Sequence, residues 1–226
     1  MRTMSSVGDV IFECKGEQLV ATPERALVWP AQRSVLLADW HLGKAEVFGY
    51  RGLPIPDGSD SDDMLRLSRL VDRFDAEHVF VLGDLMHAPP SGRSIWPGAL
   101  ASWLDENDQL EMTVVAGNHD RVKSEDLPNS LGKRLNWCSS TLLAGPFLLD
   151  HEPGDRSDGY VLAGHLHPVW VLRAGRDRIR APVYWFQERQ AVLPAFGSFT
   201  GGYQVRPVNG DRLFLAGDDH VEEIEF

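Results

Sequence analysis

The sequence has little cysteine. Its 226 residues include only Cys14 and Cys138, which are too few for a disulfide framework and too isolated for a thiolate metal site. Any metal ion would therefore be held by nitrogen and oxygen atoms. We expect both cysteines to be ordinary packing residues.

Long apolar runs are also missing. No stretch approaches the roughly 20 apolar residues that a membrane-spanning helix requires. The first residues, MRTMSSVGDVIF, do not show the basic and then apolar layout of a signal peptide. The expected location is the cytoplasm, and no membrane partner is expected.

Basic charge is in the minority. Lys and Arg total 22 against 33 Asp and Glu, which gives a formal net charge of −11. Proteins that hold nucleic acid through their overall field usually carry positive charge, so the average charge disfavours that class while leaving room for a local basic patch. With 43% hydrophobic and 24% charged residues, the chain can bury a core, and we expect one domain over residues 1–226.

Five segments share one pattern, a short apolar run that ends in Asp, Asn or His. They are SVLLADWH (34–41), HVFVLGDLMH (78–87), EMTVVAGNHD (111–120), PFLLDHEPG (146–154) and YVLAGHLHP (160–168). Continuous apolarity predicts strands buried on both faces of a layered α/β fold. Ligands of open α/β sheets collect beyond the carboxyl ends of strands, so the five polar strand ends are candidates for one site.

Helices are predicted between these strands. The segment DSDDMLRLSRLVDRFD (60–75) places apolar residues at helical spacing behind an acidic start, and a second helix is predicted over 96–106 with Pro97 near its start. Shorter apolar runs separated by Gly, Pro and Asp in the first thirty residues and toward the C-terminus predict additional strands.

Seven side chains at the strand ends, namely two carboxylates, one amide and four imidazoles, could bind metal together. They are Asp39, His41, Asp84, Asn118, His151, His165 and His167. Each alone has a structural alternative, such as a turn residue or a hydrogen-bonded histidine. Together they exceed the needs of one ion, whereas two ions sharing a carboxylate would use them all. The donor set suits Mn²⁺, Fe, Zn²⁺ or Co²⁺.

The spacing of the last two histidines suggests how they meet. If the strand at the end of YVLAGHLHP continues, side chains alternate between its faces, and His165 and His167 point the same way.

The same segments resemble, in order, the five signature blocks of the calcineurin-like metallophosphoesterase family. The matching blocks are DWH (39–41), GDLMH (83–87), GNHD (117–120), the His151 of LDHEPG, and GHLH (164–167). The resemblance implies an α/β fold, a two-sheet β-sandwich flanked by helices (the four-layer metallophosphoesterase fold). It also implies a centre of two divalent metal ions, for which Mn²⁺ is the family expectation.

Carried over position by position, the resemblance divides the seven donors into two groups that share one carboxylate. Asp39, His41 and His167 would hold the first ion, Asn118, His151 and His165 the second, and Asp84 would bridge them. The cations would acidify a bridging water, so that hydroxide attacks phosphorus and no protein nucleophile is needed. The implied protein is a metal-dependent phosphoesterase.

Three residues that are not metal donors are also candidates for catalytic roles. His119 matches the family histidine that assists the leaving group, and Asp120 either orients that imidazole or caps the turn. His87 stands where the protein-phosphatase branch has an aspartate, so GDLMH is more similar to the nuclease-type members. His87 is therefore a candidate for substrate or proton handling, with a structural role as the alternative.

Two longer stretches point to DNA. DWHLGKAEVFGYRGLPIPDG (39–58) and LPAFGSFTGG (193–202) resemble the bacterial ligase-associated DNA damage response endonuclease group, the ICC-like phosphoesterases. In that group the protein is encoded near a DNA ligase, a helicase and an exonuclease, which implies a nuclease with these three as repair partners.

Two other functions are kept as alternatives. Hydrolysis of a small phosphoester or pyrophosphate, such as a cyclic nucleotide or nucleotide conjugate, fits the acidic composition better. A non-catalytic scaffold in a repair complex is disfavoured because no ligand position is missing.

Several residues near the motifs are candidates for substrate contact. Lys44 and Arg51 follow the first block closely enough to meet a substrate phosphate, although Lys44 also fits an ordinary solvated surface charge. The stretch RAGRDRIRAPVYWFQER (173–189) predicts a β-hairpin with arginines outside and aromatics in the core. Its alternative is a strip that tracks a nucleic-acid backbone. Gly201 and Gly202 either let the backbone approach a ligand or form a turn.

Overall fold

The computed structural model of the protein describes residues 8–50, 52–53, 58–120, 127–175, 177–198 and 200–226. The described residues form two mixed β-sheets that pack face to face. Both cysteines are free thiols. Among the described residues, no helix combines the length and apolar character needed to cross a bilayer.

The first sheet has seven strands, which lie side by side in chain order. They are β1 (Val10–Cys14), β2 (Glu17–Ala21), β3 (Leu27–Trp29), β4 (Ser34–Leu37), β5 (His78–Leu82), β6 (Glu111–Val115) and β7 (Leu135–Cys138). The strands from β1 to β4 pair antiparallel, and those from β4 to β7 pair parallel. Parallel neighbours need long crossover connections, and these connections contain the helices.

The helices follow strands of the first sheet. They are α1 (Lys44–Tyr50), α2 (Ser59–Phe74), α3 (Trp96–Glu106) and α4 (Asn129–Gly132), with a 3₁₀ turn at Pro30–Gln32. The helices predicted over 60–75 and 96–106 are confirmed. The first of them ends one residue early because Asp75 takes a left-handed conformation with φ 50°. The buried stripe of α2, including Leu67 and Leu70, packs with α3 against the outer face of the first sheet.

The second sheet has nine strands. They are β8 (Leu142–Ala144), β9 (Phe147–Leu149), β10 (Tyr160–Ala163), β11 (Pro168–Ala174), β12 (Asp177–Phe186), β13 (Gln190–Val192), β14 (Tyr203–Gln204), β15 (Arg212–Ala216) and β16 (Val221–Ile224). The order is β14-β11-β12-β13-β10-β9-β8, while β15 pairs with β12 and β16 with β15. The hairpin predicted within 173–189 is confirmed: β11 and β12 pair antiparallel.

The main core lies between the two sheets. Leu27 and Leu82 of the first sheet meet Phe147 and Tyr184 of the second there, all fully or almost fully buried. The hydroxyl of Tyr184 lies 2.8 Å from the carbonyl oxygen of Thr22 and can donate to it, which links the two sheets. The predicted two-sheet α/β fold is confirmed.

All five predicted strands are also confirmed, as β4, β5, β6, β9 and β10. The first three are adjacent and parallel in one sheet, and the last two are adjacent and parallel in the other. Their carboxyl ends lie at the same edge of the sandwich, and this edge carries the candidate site.

Candidate metal centre

The donor side chains come from loops of both sheets. Asp39 and His41 follow β4, Asp84 follows β5 and Asn118 follows β6. The remaining donors, His151, His165 and His167, follow β9 and β10 of the second sheet. The backbone N–H of His165 joins the two sets, because it donates to the Asp39 carboxylate at 2.9 Å.

One group of donors contains Asp39, His41 and His167. The two Nε2 atoms of His41 and His167 lie 3.2 Å apart. The Nε2 atom of His167 lies 3.4 Å from Oδ1 of Asp39. These three side chains form one of the clusters whose ligand atoms are close enough to hold a single ion.

A second group contains Asn118, His151 and His165. The Nε2 atom of His151 lies 3.0 Å from Oδ1 of Asn118 and 3.1 Å from Nδ1 of His165. Asp84 lies between the two groups, since its Oδ2 is 3.6 Å from Nε2 of His151 and 3.9 Å from Nε2 of His41. The structure thus brings all seven predicted donors together.

These distances fit metal coordination. Two ligand atoms that bind one ion at about 2.1 Å, with angles between octahedral and tetrahedral, lie about 3.0–3.4 Å apart. The pairs within each group have that separation or nearly so, and Asp84 lies slightly farther from both groups. The assignment of individual residues as ligands stays a prediction.

Burial also fits bound cations. Asp39 is 0% exposed and Asp84 is 2% exposed. In the described part of the chain, their ion-pair partners are histidines of the site. Buried carboxylates are costly unless positive charge compensates them, and divalent cations would supply that charge.

Backbone carbonyls fix two of the histidine rings. The Nδ1 atom of His151 lies 3.1 Å from the carbonyl oxygen of Leu82, and Nδ1 of His167 lies 3.2 Å from that of Gly201. A ring that donates through Nδ1 keeps its Nε2 lone pair free. Both rings therefore present Nε2 to the centre as a ligand atom, a detail that the motifs alone did not predict.

Two pKa shifts describe the metal-free electrostatics. Burial, together with the neighbouring positive charge of His167, lowers the pKa of His41 to about 2, so this imidazole is neutral and able to bind a cation. Burial lowers the pKa of His167, but the hydrogen bond and charge of Asp39 outweigh it, and the net shift is upward. The upward shift shows that the site favours positive charge beside Asp39, which a bound cation would also supply.

Backbone conformation, not strand alternation, orients the last two histidines. The strand β10 ends at Ala163, and the φ angles of His165 and His167 are 71° and 49°. The sequence-based explanation that both side chains lie on one strand face is therefore wrong. The two rings separate, with His165 facing His151 and His167 facing His41.

Three glycines of the motifs lie against the donors. A Cβ atom on Gly83 would overlap the ring of His151, and one on Gly117 would overlap the Asp84 carboxylate. A Cβ on Gly164 would lie 2.6 Å from Oδ2 of Asp39. These motif glycines are thus required by close packing around the centre.

His119 and Asp120 have different surroundings. The backbone N–H of His119 donates to Oδ1 of Asp84 at 2.8 Å, and its Nδ1 lies 2.8 Å from the carbonyl oxygen of His87. The buried carboxylate of Asp120 instead accepts backbone N–H groups of Leu85, Met86 and Gly117. Of the two predicted roles for Asp120, these contacts favour capping the loop, while the His87 carbonyl orients the imidazole of His119.

The His87 side chain lies close to the centre. Its ring stacks on that of His119, with centroids 5.3 Å apart and an interplanar angle of 19°. It also packs edge-on near His41 and beside Phe48 of α1. This position is compatible with substrate or proton handling, which stays a prediction.

The predicted substrate contacts have mixed outcomes. Lys44 is half-buried at the start of α1, and its charge contributes to lowering the pKa of His41, so its ammonium group lies near the site. Arg51 lies outside the described residues. Gly202 approaches the chain's own Val169, and the Gly201 carbonyl positions His167.

The chain is similar to a solved nuclease. A crystal structure of the Pseudomonas putida nuclease MPE matches 95% of this chain and 100% of its own, with 34% identity and a TM-score of 0.81. Yfce, a phosphoesterase from E. coli, matches 84% of this chain and 97% of its own, with 15% identity and a TM-score of 0.46, a likeness too weak to carry an argument. No family model and no curated protein matches the chain.

Proposed function

Because the chain belongs to the metallophosphoesterase family and is a metal-dependent phosphoesterase, we propose that it is a two-metal phosphodiesterase that cleaves DNA during repair. The finer parts of this proposal are the number of ions, the DNA substrate and the roles of individual residues. The observation that carries it is the position of Asp84 between two groups of donors.

The shared carboxylate supports two ions. Paired metal sites in phosphoryl-transfer enzymes hold their ions about 3.5–4 Å apart, usually with a common ligand. When bound, two divalent cations acidify a water molecule and neutralise charge on the phosphate. We propose Mn²⁺ as the resident ion on the basis of the family resemblance, with Fe, Zn²⁺ and Co²⁺ as the alternatives that the donor set allows.

His119 is proposed to protonate the leaving oxygen. Its backbone N–H and its Nδ1 are both engaged, which holds the ring in one orientation. In the imidazolium form, Nε2 carries the proton that the departing oxygen needs. The stacked ring of His87 limits the motion of His119 and borders the same space, where it is proposed to contact substrate.

DNA is proposed as the substrate for two reasons. The similar structure is that of a nuclease, and the motifs over 39–58 and 193–202 resemble a DNA repair group. DNA ligase, a helicase and an exonuclease are proposed as partners on that resemblance. The second candidate is a small-molecule phosphoesterase or pyrophosphatase, which the net charge of −11 favours.

Two substitutions test the roles of the chain's residues. Asp84→Ala removes the shared carboxylate, so we expect loss of bound metal and of all turnover. His119→Ala leaves the predicted ligands in place, so we expect unchanged metal content and turnover reduced by a factor of about 10²–10⁴. Metal content is measured by elemental analysis and turnover with an aryl phosphodiester. Equal metal loss in the two variants would show that His119 is misassigned.

A substrate panel tests the choice of DNA. Metal-loaded protein is assayed on single-stranded DNA, gapped duplex, a cyclic nucleotide and an aryl phosphodiester, with Asp84→Ala as the blank. We expect cleavage of DNA and of the aryl diester. Cleavage of the small substrates alone would favour a small-molecule phosphoesterase over a nuclease. If no substrate is cleaved, the non-catalytic scaffold is the remaining hypothesis.

A further inference from the structure

A cavity without acidic residues opens beside His167. It has a volume of about 560 Å³, and its walls include Arg25, Arg180, Pro182 and Thr200. No carboxylate is among the described residues that line it. Four other cavities in the described part of the chain each include at least one carboxylate, namely Glu188, Asp218, Asp60 and Glu225.

The residues that line this cavity suit a phosphate-bearing ligand. Arg25 is half-buried, and the guanidinium of Arg180 donates to the carbonyl oxygen of Gly202, which positions it at the wall. Guanidinium groups bind phosphate oxygens through two parallel hydrogen bonds. The two guanidinium groups therefore place positive charge beside the metal centre of a chain whose net charge is −11.

The positive charge continues along one face of the hairpin formed by β11 and β12. Residues two apart in a strand share a face. Arg178 and Arg180 therefore lie on the same face of β12 as Pro182, which lines the cavity. Arg173 pairs directly with Arg178 in the register and therefore shares that face. We name Arg173, Arg178 and Arg180 the hairpin arginines; all three are exposed.

Most of the other described arginines have a carboxylate partner, whereas the hairpin arginines, like Arg25, Arg69, Arg93 and Arg206, have none among the described residues. Seven arginines elsewhere form ion pairs with carboxylates: Arg33, Arg66, Arg73, Arg134, Arg156, Arg189 and Arg212. The hairpin arginines form no such pair with another described residue. In a chain with 33 acidic residues, this leaves their charge available to an external anion.

We propose, building on the proposed nuclease function, that the cavity and the hairpin arginines bind the sugar-phosphate backbone of single-stranded DNA next to the phosphate being cleaved. The cavity volume lies within the roughly 300–1,000 Å³ of small-ligand pockets, so it admits one flanking nucleotide. The hairpin arginines hold the phosphates beyond it. Duplex DNA is stiff over about 150 base pairs and does not bend into such a cavity, whereas a single strand does.

The test separates polynucleotide binding from chemistry. The double variant Arg173→Gln/Arg178→Gln changes two exposed residues, so its fold is expected to be intact. We expect KM for a single-stranded oligonucleotide to rise about tenfold, with kcat/KM for an aryl phosphodiester changed less than twofold. The slope of log affinity against log salt should become shallower by about 0.7 for each lost phosphate contact.

A control at a distant arginine accounts for the loss of one positive charge, as in the variant Arg180→Gln. Arg33→Gln removes the charge of an arginine that pairs with Asp75 at the amino end of β4, whereas the metal centre lies beyond its carboxyl end. This variant should leave the KM for DNA unchanged. For the cavity itself, Arg180→Gln should raise the KM for the oligonucleotide, and Arg180→Lys, which keeps the charge, should restore part of the loss.

Fluorescence anisotropy of a labelled oligothymidylate, measured in Ca²⁺, reports binding independently of cleavage. Unchanged affinity and salt slope in the double variant would overturn the proposal while leaving DNA cleavage intact. Equal losses for DNA and the aryl diester, or equal losses for single strand and duplex, would also overturn it. If the wild-type protein binds DNA through these arginines but does not cleave it, the proposed nuclease function fails and the binding site stands.

Discussion

At the scale of single residues, the donors are held by an uncommon backbone. Five of the seven donors have positive φ: Asp39, His41, Asp84, His165 and His167. Residues other than glycine adopt this conformation rarely and at a cost of about 1 kcal/mol or more each. Such strained residues cluster at functional sites, where the surrounding structure enforces them. Part of the free energy of folding therefore offsets the backbone strain that holds the donor side chains in their orientations.

Gly83 shows how closely the backbone and the donors are fitted. It has φ 78°, and an added methyl group would overlap the His151 ring. We expect Gly83→Ala to lower the free energy of unfolding by about 2–5 kcal/mol, from left-handed strain plus overlap. Displacement of His151 should also weaken metal affinity by roughly 10–100-fold, measured by denaturant titration and calorimetry with Mn²⁺.

Gly16 provides the matched control. Its φ of 82° is similar, but an added Cβ meets nothing within 4 Å. Gly16→Ala should therefore cost only the strain, about 1–2 kcal/mol, with metal affinity unchanged. Similar metal affinity in the two variants would show that contact between Gly83 and His151 does not position the ligand.

Residue identities at the centre could be predicted from the sequence, but their geometry could not. The seven donor types follow apolar runs in a recognisable order, and the structure brings them together. The left-handed angles of His165 and His167 and the carbonyl partners of the rings, such as Leu82, depend on chain segments far away in sequence. No local pattern encodes them.

At the scale of secondary-structure elements, α2 carries a half-buried acid next to the site loop. The Asp60 carboxylate accepts the backbone N–H of Gly43 at 2.9 Å. Burial raises the pKa of Asp60 to about 6, against the opposing effect of this hydrogen bond. This hydrogen bond joins the first turn of α2 to the segment that follows His41. Because the Asp60 carboxylate is partly removed from water, its negative charge is unfavourable there.

The pH dependence of stability follows from that shift. The unfolded carboxyl has a pKa of about 3.9, so between about pH 4 and 6 the folded state binds more protons and stability falls as pH rises. Asp60→Asn keeps an oxygen acceptor but has no proton to lose. Above pH 6 we expect it to be more stable than the wild type by about 1 kcal/mol, with the difference vanishing near pH 4.

Denaturant midpoints measured from pH 4 to 8 check this expectation. Asp62→Asn is the control for the loss of one negative charge, since Asp62 is exposed in the same turn. A wild type that is more stable than Asp60→Asn at pH 8 would contradict the predicted sign.

Elements with strong local patterns were predictable, and α1 was not. The amphipathic spacing within α2 and the apolar runs of β5 and β6 are local properties of the sequence. By contrast, α1 has seven residues and contains Gly49, which is unfavourable in a helix interior. Its Glu46 side chain accepts the backbone N–H of Ile95 at 2.8 Å, so contact with the start of α3 stabilises it.

At the scale of the whole molecule, bound metal should stabilise the fold. The donors come from both sheets, so an ion binds the folded state and finds no comparable site in the unfolded chain. At a hundredfold excess over Kd, one site contributes about 2.7 kcal/mol, which corresponds to a rise in Tm of roughly 5–10 °C for a chain of this size.

Thermal unfolding with Mn²⁺ and with a chelator measures this effect. The Asp84→Ala variant should lose most of the rise, because it lacks the carboxylate that is proposed to be shared by the two ions. A wild-type Tm that is independent of the metal would contradict a centre formed between the two sheets.

The division of the donors between the sheets has one more consequence. The turn between β7 and β8, at residues 139–141, separates Asp39, His41, Asp84 and Asn118 on one side from the three remaining histidines on the other. A chain cleaved at this turn would yield two fragments, each of which contains only part of the set of metal donors. Retention of the ion would then report whether the two fragments have reassociated.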